Sequence, residues 1–131
     1  MALQRTSTQQ QSRGAVATLD VAVLRCEGEM GPVELAHLGE ELFRIAHHGC
    51  HRVIIDFSGV DHVDYRGLRP LAARARLLRT AEGDLKLAGL SPYVAAIFRA
   101  AGVEEEFALY ESVEAARASF VSMPALALVR G

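Results

Sequence analysis

The segment RVIIDF, residues 52 to 57, is apolar on both parities of a strand and rich in β-branched side chains. A strand with one wet face alternates, whereas one that is apolar on both sides has to be covered on both, like a central strand of a parallel sheet between helical layers. Amphipathic helices must then lie elsewhere in the chain. After Pro32, residues Leu35, Leu38, Leu42 and Ile45 step by three and four, Glu34, His37, Glu41, Arg44 and His48 take other faces, and Gly49 is placed to cap the helix in the left-handed region. Leu68, Leu71, Ala75 and Leu78 repeat the spacing up to AEGD, with Gly83 as the expected stop. SPYVAAIFRAAG supplies a serine cap, proline at the first helical position and a stripe of Val94, Ile97 and Phe98.

Further strands fall between these helices. VATLDVAVLRCEG, from Val16, reads as two short strands closed by GEMGP; DLKLAG and EFALY read as later ones. ESVEAARASF reads as a last helix with Ser112 as N-cap. The order β-β-α-β-α-β-α-β-α predicts an α/β fold, a mostly parallel or mixed sheet of about five strands with about four helices and right-handed crossovers. Residues 1 to 14 are rich in Gln, Ser and Thr without an apolar period and read as a flexible tail; 15 to 120 read as one domain and 121 to 131 as an apolar C-terminal tail. Half of the 131 residues are hydrophobic, enough for one core. With 14 basic against 16 acidic side chains, the balance points away from nucleic acid. Two cysteines without Cys-x-x-Cys spacing, no secretory leader and no apolar run near ~20 residues predict a cytoplasmic protein without a membrane span.

The most specific stretch is VIIDFSGVDHVDYRGLRPLAARARLL, joined by KLAGLSPYVAAIFRAAGVEEEF in matching order. Together they resemble the STAS domains (sulphate transporter and anti-sigma factor antagonist), over roughly residues 16 to 120. The resemblance implies a STAS-like fold and a domain that recognises proteins and is not an enzyme. In anti-sigma factor antagonists a DSSG-type tetrapeptide opens a helix, and its first serine is phosphorylated by a kinase of the histidine-kinase-like ATPase type. Carried over, Asp64 and Gly67 match the family's Asp and Gly, Tyr65 stands at the phosphoserine position, and Arg66 replaces the second serine. Asp64, Tyr65, Arg66 and Gly67 are thus the expected switch turn, with Tyr65 not a substrate for a serine kinase. The implied partner is an anti-sigma factor or serine kinase of that ATPase type. An accessory subunit of a transport complex or larger cytosolic assembly is the other reading.

A phosphate at a helix N-terminus meets unpaired N–H groups and the positive end of the dipole, which suits a serine switch. A tyrosine hydroxyl lies too far out, and a cation there is disfavoured by about 0.3–1 kcal/mol unless a carboxylate neutralises it. Asp64 is the nearest candidate. Pro70 belongs in a first turn, so the helix is expected to begin between Arg66 and Arg69. Arg66, Arg69, Arg76 and Arg79 fall on one side of the wheel with Leu77 beside them. They read either as a solvated face or as a partner-contact ridge, and with EEE at 104 to 106 as a means of joining two copies into a homo-oligomer.

Two other constellations carry weaker chemistry. HHGCH at 47 to 51 gathers zinc-competent side chains, but Gly49 breaks the helical spacing that His47 and His51 would need, so no metal and no cofactor is expected. Cys26 and Cys50 read as inert thiols. Asp56, Ser58, Asp61, His62 and Asp64 cluster at a strand end where α/β folds place ligands, the basis of a weaker hydrolase or nucleotide-binding reading. No glycine-rich phosphate loop accompanies them.

Overall fold

The computed structural model describes Leu3–Ser7 and residues 20–130, with side chains for residues 20–121. Among the described residues the sheet has five strands in sequential order: β1 (Leu3–Ser7), β2 (Ala22–Met30), β3 (Arg52–Val63), β4 (Asp84–Ala88) and β5 (Ala108–Tyr110). β2 to β5 are parallel, and β1 pairs antiparallel with β2, Leu3 opposite Cys26. The helices are α1 (Pro32–His47), α2 (Leu68–Thr80), α3 (Pro92–Ala100) and α4 (Val113–Arg130).

RVIIDF sits at the centre, covered on both faces as its pattern requires. Val53, Ile55 and Phe57 face a core that α1, α2 and α3 complete with Leu38, Leu42, Ile45, Leu71, Leu78, Val94 and Phe98. Ile54 faces the other way, with Val21, Val23 and Ala88, against Ala116 and Phe120 of α4. Each of the larger side chains here stabilises by about 1.5–3 kcal/mol relative to exposure. Phe98 sits edge-on to Phe57 at 5.9 Å and to Phe107 at 5.5 Å, which fixes α3 over the sheet. On the α4 side Lys86 is buried, its ammonium hydrogen-bonded to Ser119 Oγ, 4.1 Å from the Phe120 ring centroid and 5.3 Å from that of Tyr110.

The expected caps hold. Ser91 Oγ accepts from Val94 N at 3.1 Å, Ser112 Oγ from Ala115 N at 3.1 Å, and Gly49 takes φ +96°.

Several expectations need correction. Leu3–Ser7 form a strand instead of part of a tail, because the backbone of β2 offers a free edge whatever the side chains are. Of the two short strands expected from Val16, the second is β2, which runs on to Met30, and the first lies outside the described residues, which exclude 8–19. β3 runs six residues past Phe57, since register shifts against β2 turn Val60 and Val63 inward and leave Ser58 and Asp61 in solvent. At the end of α2 the left-handed residue is Glu82 (φ 64°), while Gly83 answers a lack of room: a β-carbon there would lie 1.8 Å from the His51 carbonyl oxygen. The helical backbone of α4 also continues beyond Phe120 to Arg130; side-chain packing past residue 121 lies outside the described residues.

Candidate functional site

Where β3 ends, Asp64 N donates to Met30 O of β2 at 2.9 Å, and the chain turns over the end of the sheet. The Asp64 carboxylate accepts from Arg66 N at 2.9 Å, an aspartate turn that starts the 3-10 turn Tyr65–Gly67, from which α2 runs on at Leu68. The same carboxylate takes a fork from the Arg66 guanidinium, Nε at 3.1 Å and Nη2 at 2.8 Å. The cation disfavoured at a helix start is thus neutralised by the residue expected to do it. Arg66's side-chain hydrogen bonds, then its backbone N–H, hold the Asp64 carboxyl at about 2, below the ordinary carboxylate range. Gly67 is at ordinary φ, −88°, and its glycine is a matter of space: a β-carbon would lie 2.4 Å from Leu35 Cδ1 of α1.

A cleft of about 470 Å³ lies on the α1 side of the turn, lined by Pro32, Leu35, Ala36, Arg66, Gly67 and Pro70. A second, of about 570 Å³, includes Glu29, His62, Tyr65 and Ile97. Tyr65 is 60% exposed, Val33 at the start of α1 62% and Tyr93 at the start of α3 57%. His62 Nδ1 and Tyr93 Oη share a 2.8 Å hydrogen bond. Exposed aromatic and aliphatic side chains around a rigid turn, with clefts between them, fit protein recognition. The sequence pattern assigns Val33 and Tyr93 no role and Ile97 only a place in a helix's apolar stripe. Tyr93, in a first turn directly after Ser91-Pro92, was the one available signal.

The arginine ridge is mostly satisfied within the chain. Arg76 pairs with Glu106 at 2.8 Å; Arg79 pairs with Asp84 at 2.9 Å and donates to Glu106 O; Arg99 lies 3.6 Å from Glu104. Arg69 and Leu77 are exposed on α2. The opposite charges expected to join two copies therefore meet inside one molecule, because the EEE turn folds back against α2.

A STAS domain family model matches residues 13–116. The chain belongs to the STAS family. BtrV of Bordetella bronchiseptica, a protein named as a candidate anti-sigma factor antagonist, is 31% identical over 103 residues, 78% of this chain and 89% of that protein. An anti-sigma factor antagonist from Mycobacterium paratuberculosis has a TM-score of 0.69 at 19% identity, over 90% of this chain and 93% of that one. Bacillus SpoIIAA in its phosphorylated form gives 0.62 at 20%, over 88% and 96%. The two solved structures share the STAS fold with this chain.

In this STAS domain the acidic cluster at the strand end does not converge. Asp56 binds Arg25 Nη1 and Ser58 N, each at 3.0 Å, His62 binds Tyr93, and Asp64 binds Arg66. Among the described residues these groups lack the nucleophile and base contact a hydrolase reading needs. In HHGCH, His47 stacks on Phe43, His48 Nδ1 meets Arg44 O at 2.8 Å, and the Cys50 thiol faces Asp20 O and Arg52 O at 3.5 Å. Burial, then the Asp56 carboxylate, pushes the Cys26 thiol up to about 12, the opposite of a reactive thiolate. Among the described residues no helix is long and apolar enough to cross a membrane.

Proposed function

We propose that this STAS domain is a non-catalytic, cofactor-free binding component of a bacterial partner-switching system, working in the cytoplasm as an anti-sigma factor antagonist or its functional equivalent. Its partner is an anti-sigma factor or a serine kinase of the histidine-kinase-like ATPase type. The observation that carries the reading is the Asp64–Gly67 turn: rigid, flanked by two clefts and tipped by an exposed tyrosine. The relative BtrV, named for antagonism of an anti-sigma factor, supports the partner class.

The usual switch is altered. A serine at residue 65 would hold its hydroxyl beside the turn's N–H groups, where a phosphate would be stabilised, whereas the tyrosine hydroxyl stands at the far end of a ring in solvent. Arg66, clamped by Asp64, occupies the second serine position. The domain is then constitutively competent to bind and is regulated otherwise than by serine phosphorylation here. Mass spectrometry after incubation with ATP and a serine kinase of the histidine-kinase-like ATPase type tests this. The expected result is an unmodified turn, and phosphate on residues 64 to 67 would overturn it. Capture of that partner by wild type but not by Tyr65→Ala or Arg66→Ser tests the recognition surface.

A further inference from the structure

The cleft beside the switch turn lies between the starts of α1 and α2. Farther along the same two helices lies another cleft, of about 400 Å³, lined by Glu40, Phe43, Arg44, His47 and Arg74. Arg74 lies between the two: its Nε is 3.6 Å from the position a β-carbon would take at Gly39, and its guanidinium carbon is 6.0 Å from the Phe43 ring centroid. Phe43 also stacks on His47, at 6.1 Å and 17°, yet remains 60% exposed. The aromatic ring is thus held in place by neighbours on its own surface and left open outward.

Charge identifies the occupant. Arg76 and Arg79 on the far side of α2 have carboxylate partners, and Arg44 is paired to Glu41. Arg74 makes no ion pair among the described residues, and Glu40, which shares its cleft, does not reach it within ion-pair distance. Residues 8–19 and 122–131 contain no aspartate or glutamate side chain. Ala36 and Phe43 are seven residues apart on α1, about 10.5 Å at ~1.5 Å per residue, the spacing of i and i+7 on a second helix.

We propose that the α1–α2 groove seats an acidic amphipathic helix of a protein partner, with apolar anchors at i and i+7 entering beside Ala36 and against Phe43, and a carboxylate at i+3 or i+4 on Arg74. This rests on the reading of the domain as a protein-binding one and extends its contact surface from the turn onto the helices. A phage-displayed library of helical peptides with randomised faces, selected on the immobilised full chain, tests it. Enriched peptides should carry Asp or Glu between two apolar residues seven apart, perturb amide NMR signals of Gly39, Phe43 and Arg74, and bind at least tenfold more weakly to Phe43→Ala. Reversing the peptide acid to lysine should cost a similar factor, restored by Arg74→Glu. Circular dichroism of both variants should be unchanged, since these side chains lie outside the core. Enrichment without acids, binding indifferent to Arg74→Glu, perturbations elsewhere, or no enrichment would each overturn the proposal. Tyr65→Ala separates the two readings: partner capture unaffected by it counts against the turn, while selected peptides still report on the groove.

Discussion

Gly67 and Leu35 approach so closely that a side chain at Gly67 would have to displace the Leu35 methyl: a β-carbon there would lie 2.4 Å from Leu35 Cδ1 and 3.2 Å from Leu35 Cβ. Because φ at Gly67 is −88°, the constraint is packing and not dihedral strain. Gly67→Ala is expected to cost about 1–3 kcal/mol, by displacing the turn from α1. Thermal unfolding reads this as a lowered Tm, and Leu35→Ala should make the added methyl less harmful, a non-additivity visible in a double-mutant cycle. An unchanged Tm for Gly67→Ala would refute the packing argument.

The Asp64–Arg66 fork gives a pH signature. A carboxyl held near 2 in the folded protein lies below its unfolded value of about 3.9, so it contributes stability in full above roughly pH 4, lost as pH falls towards 2. In Arg66→Ala the side-chain bonds go and the backbone N–H bond of residue 66 stays, so Asp64 should titrate higher without losing all of its depression. NMR titration of the Asp64 carboxyl carbon in both proteins measures this directly; identical curves would contradict the fork.

At the end of α2, Glu82 and Gly83 make opposite predictions. Glu82 sits at φ 64°, where a non-glycine residue costs roughly 1–2 kcal/mol, partly offset by the backbone entropy a glycine loses on folding. Glu82→Gly should be neutral or stabilising by up to about 1 kcal/mol. Gly83→Ala drives a methyl into the His51 carbonyl and should destabilise more than any other glycine substitution proposed here. Denaturant midpoints with unchanged slopes would rank the two.

Tyr65, Val33 and Tyr93 are exposed and should hardly affect the fold. Alanine at each is expected to leave stability within about 0.5 kcal/mol, while Tyr65→Ala lowers partner affinity by about tenfold or more, as truncating an aromatic anchor does. Calorimetric titration of the captured partner against each variant gives the comparison.

What could be read in advance was local. RVIIDF, Ser91-Pro92, Gly49 and Ser112 each specify their structure within a few residues, and Asp64 answers Arg66 two positions on. What could not be read depends on distant partners. β1 exists through a ladder to residues some twenty positions away. Arg76 is neutralised by Glu106, thirty residues on, so a wheel of α2 alone overstates its basic face. The extension of β3 through polar residues depends on register shifts against β2, and the exposed ring of Val33 and Tyr93 about the turn depends on how α1 and α3 converge there.

The antiparallel strip Leu3–Ser7 runs along one side of β2, while the opposite side of the sheet ends in three residues, Ala108–Tyr110. β1 thereby occupies main-chain donors and acceptors of the nine-residue β2 and leaves a five-residue edge in its place, and β5 is too short to template a foreign strand. Removing the first seven residues would leave a bare ladder on β2, and the shortened chain should cross-pair and precipitate as its concentration rises, with its hydrophobic core intact. The leading segment, for all its polar composition, shortens the ladder that the sheet leaves open.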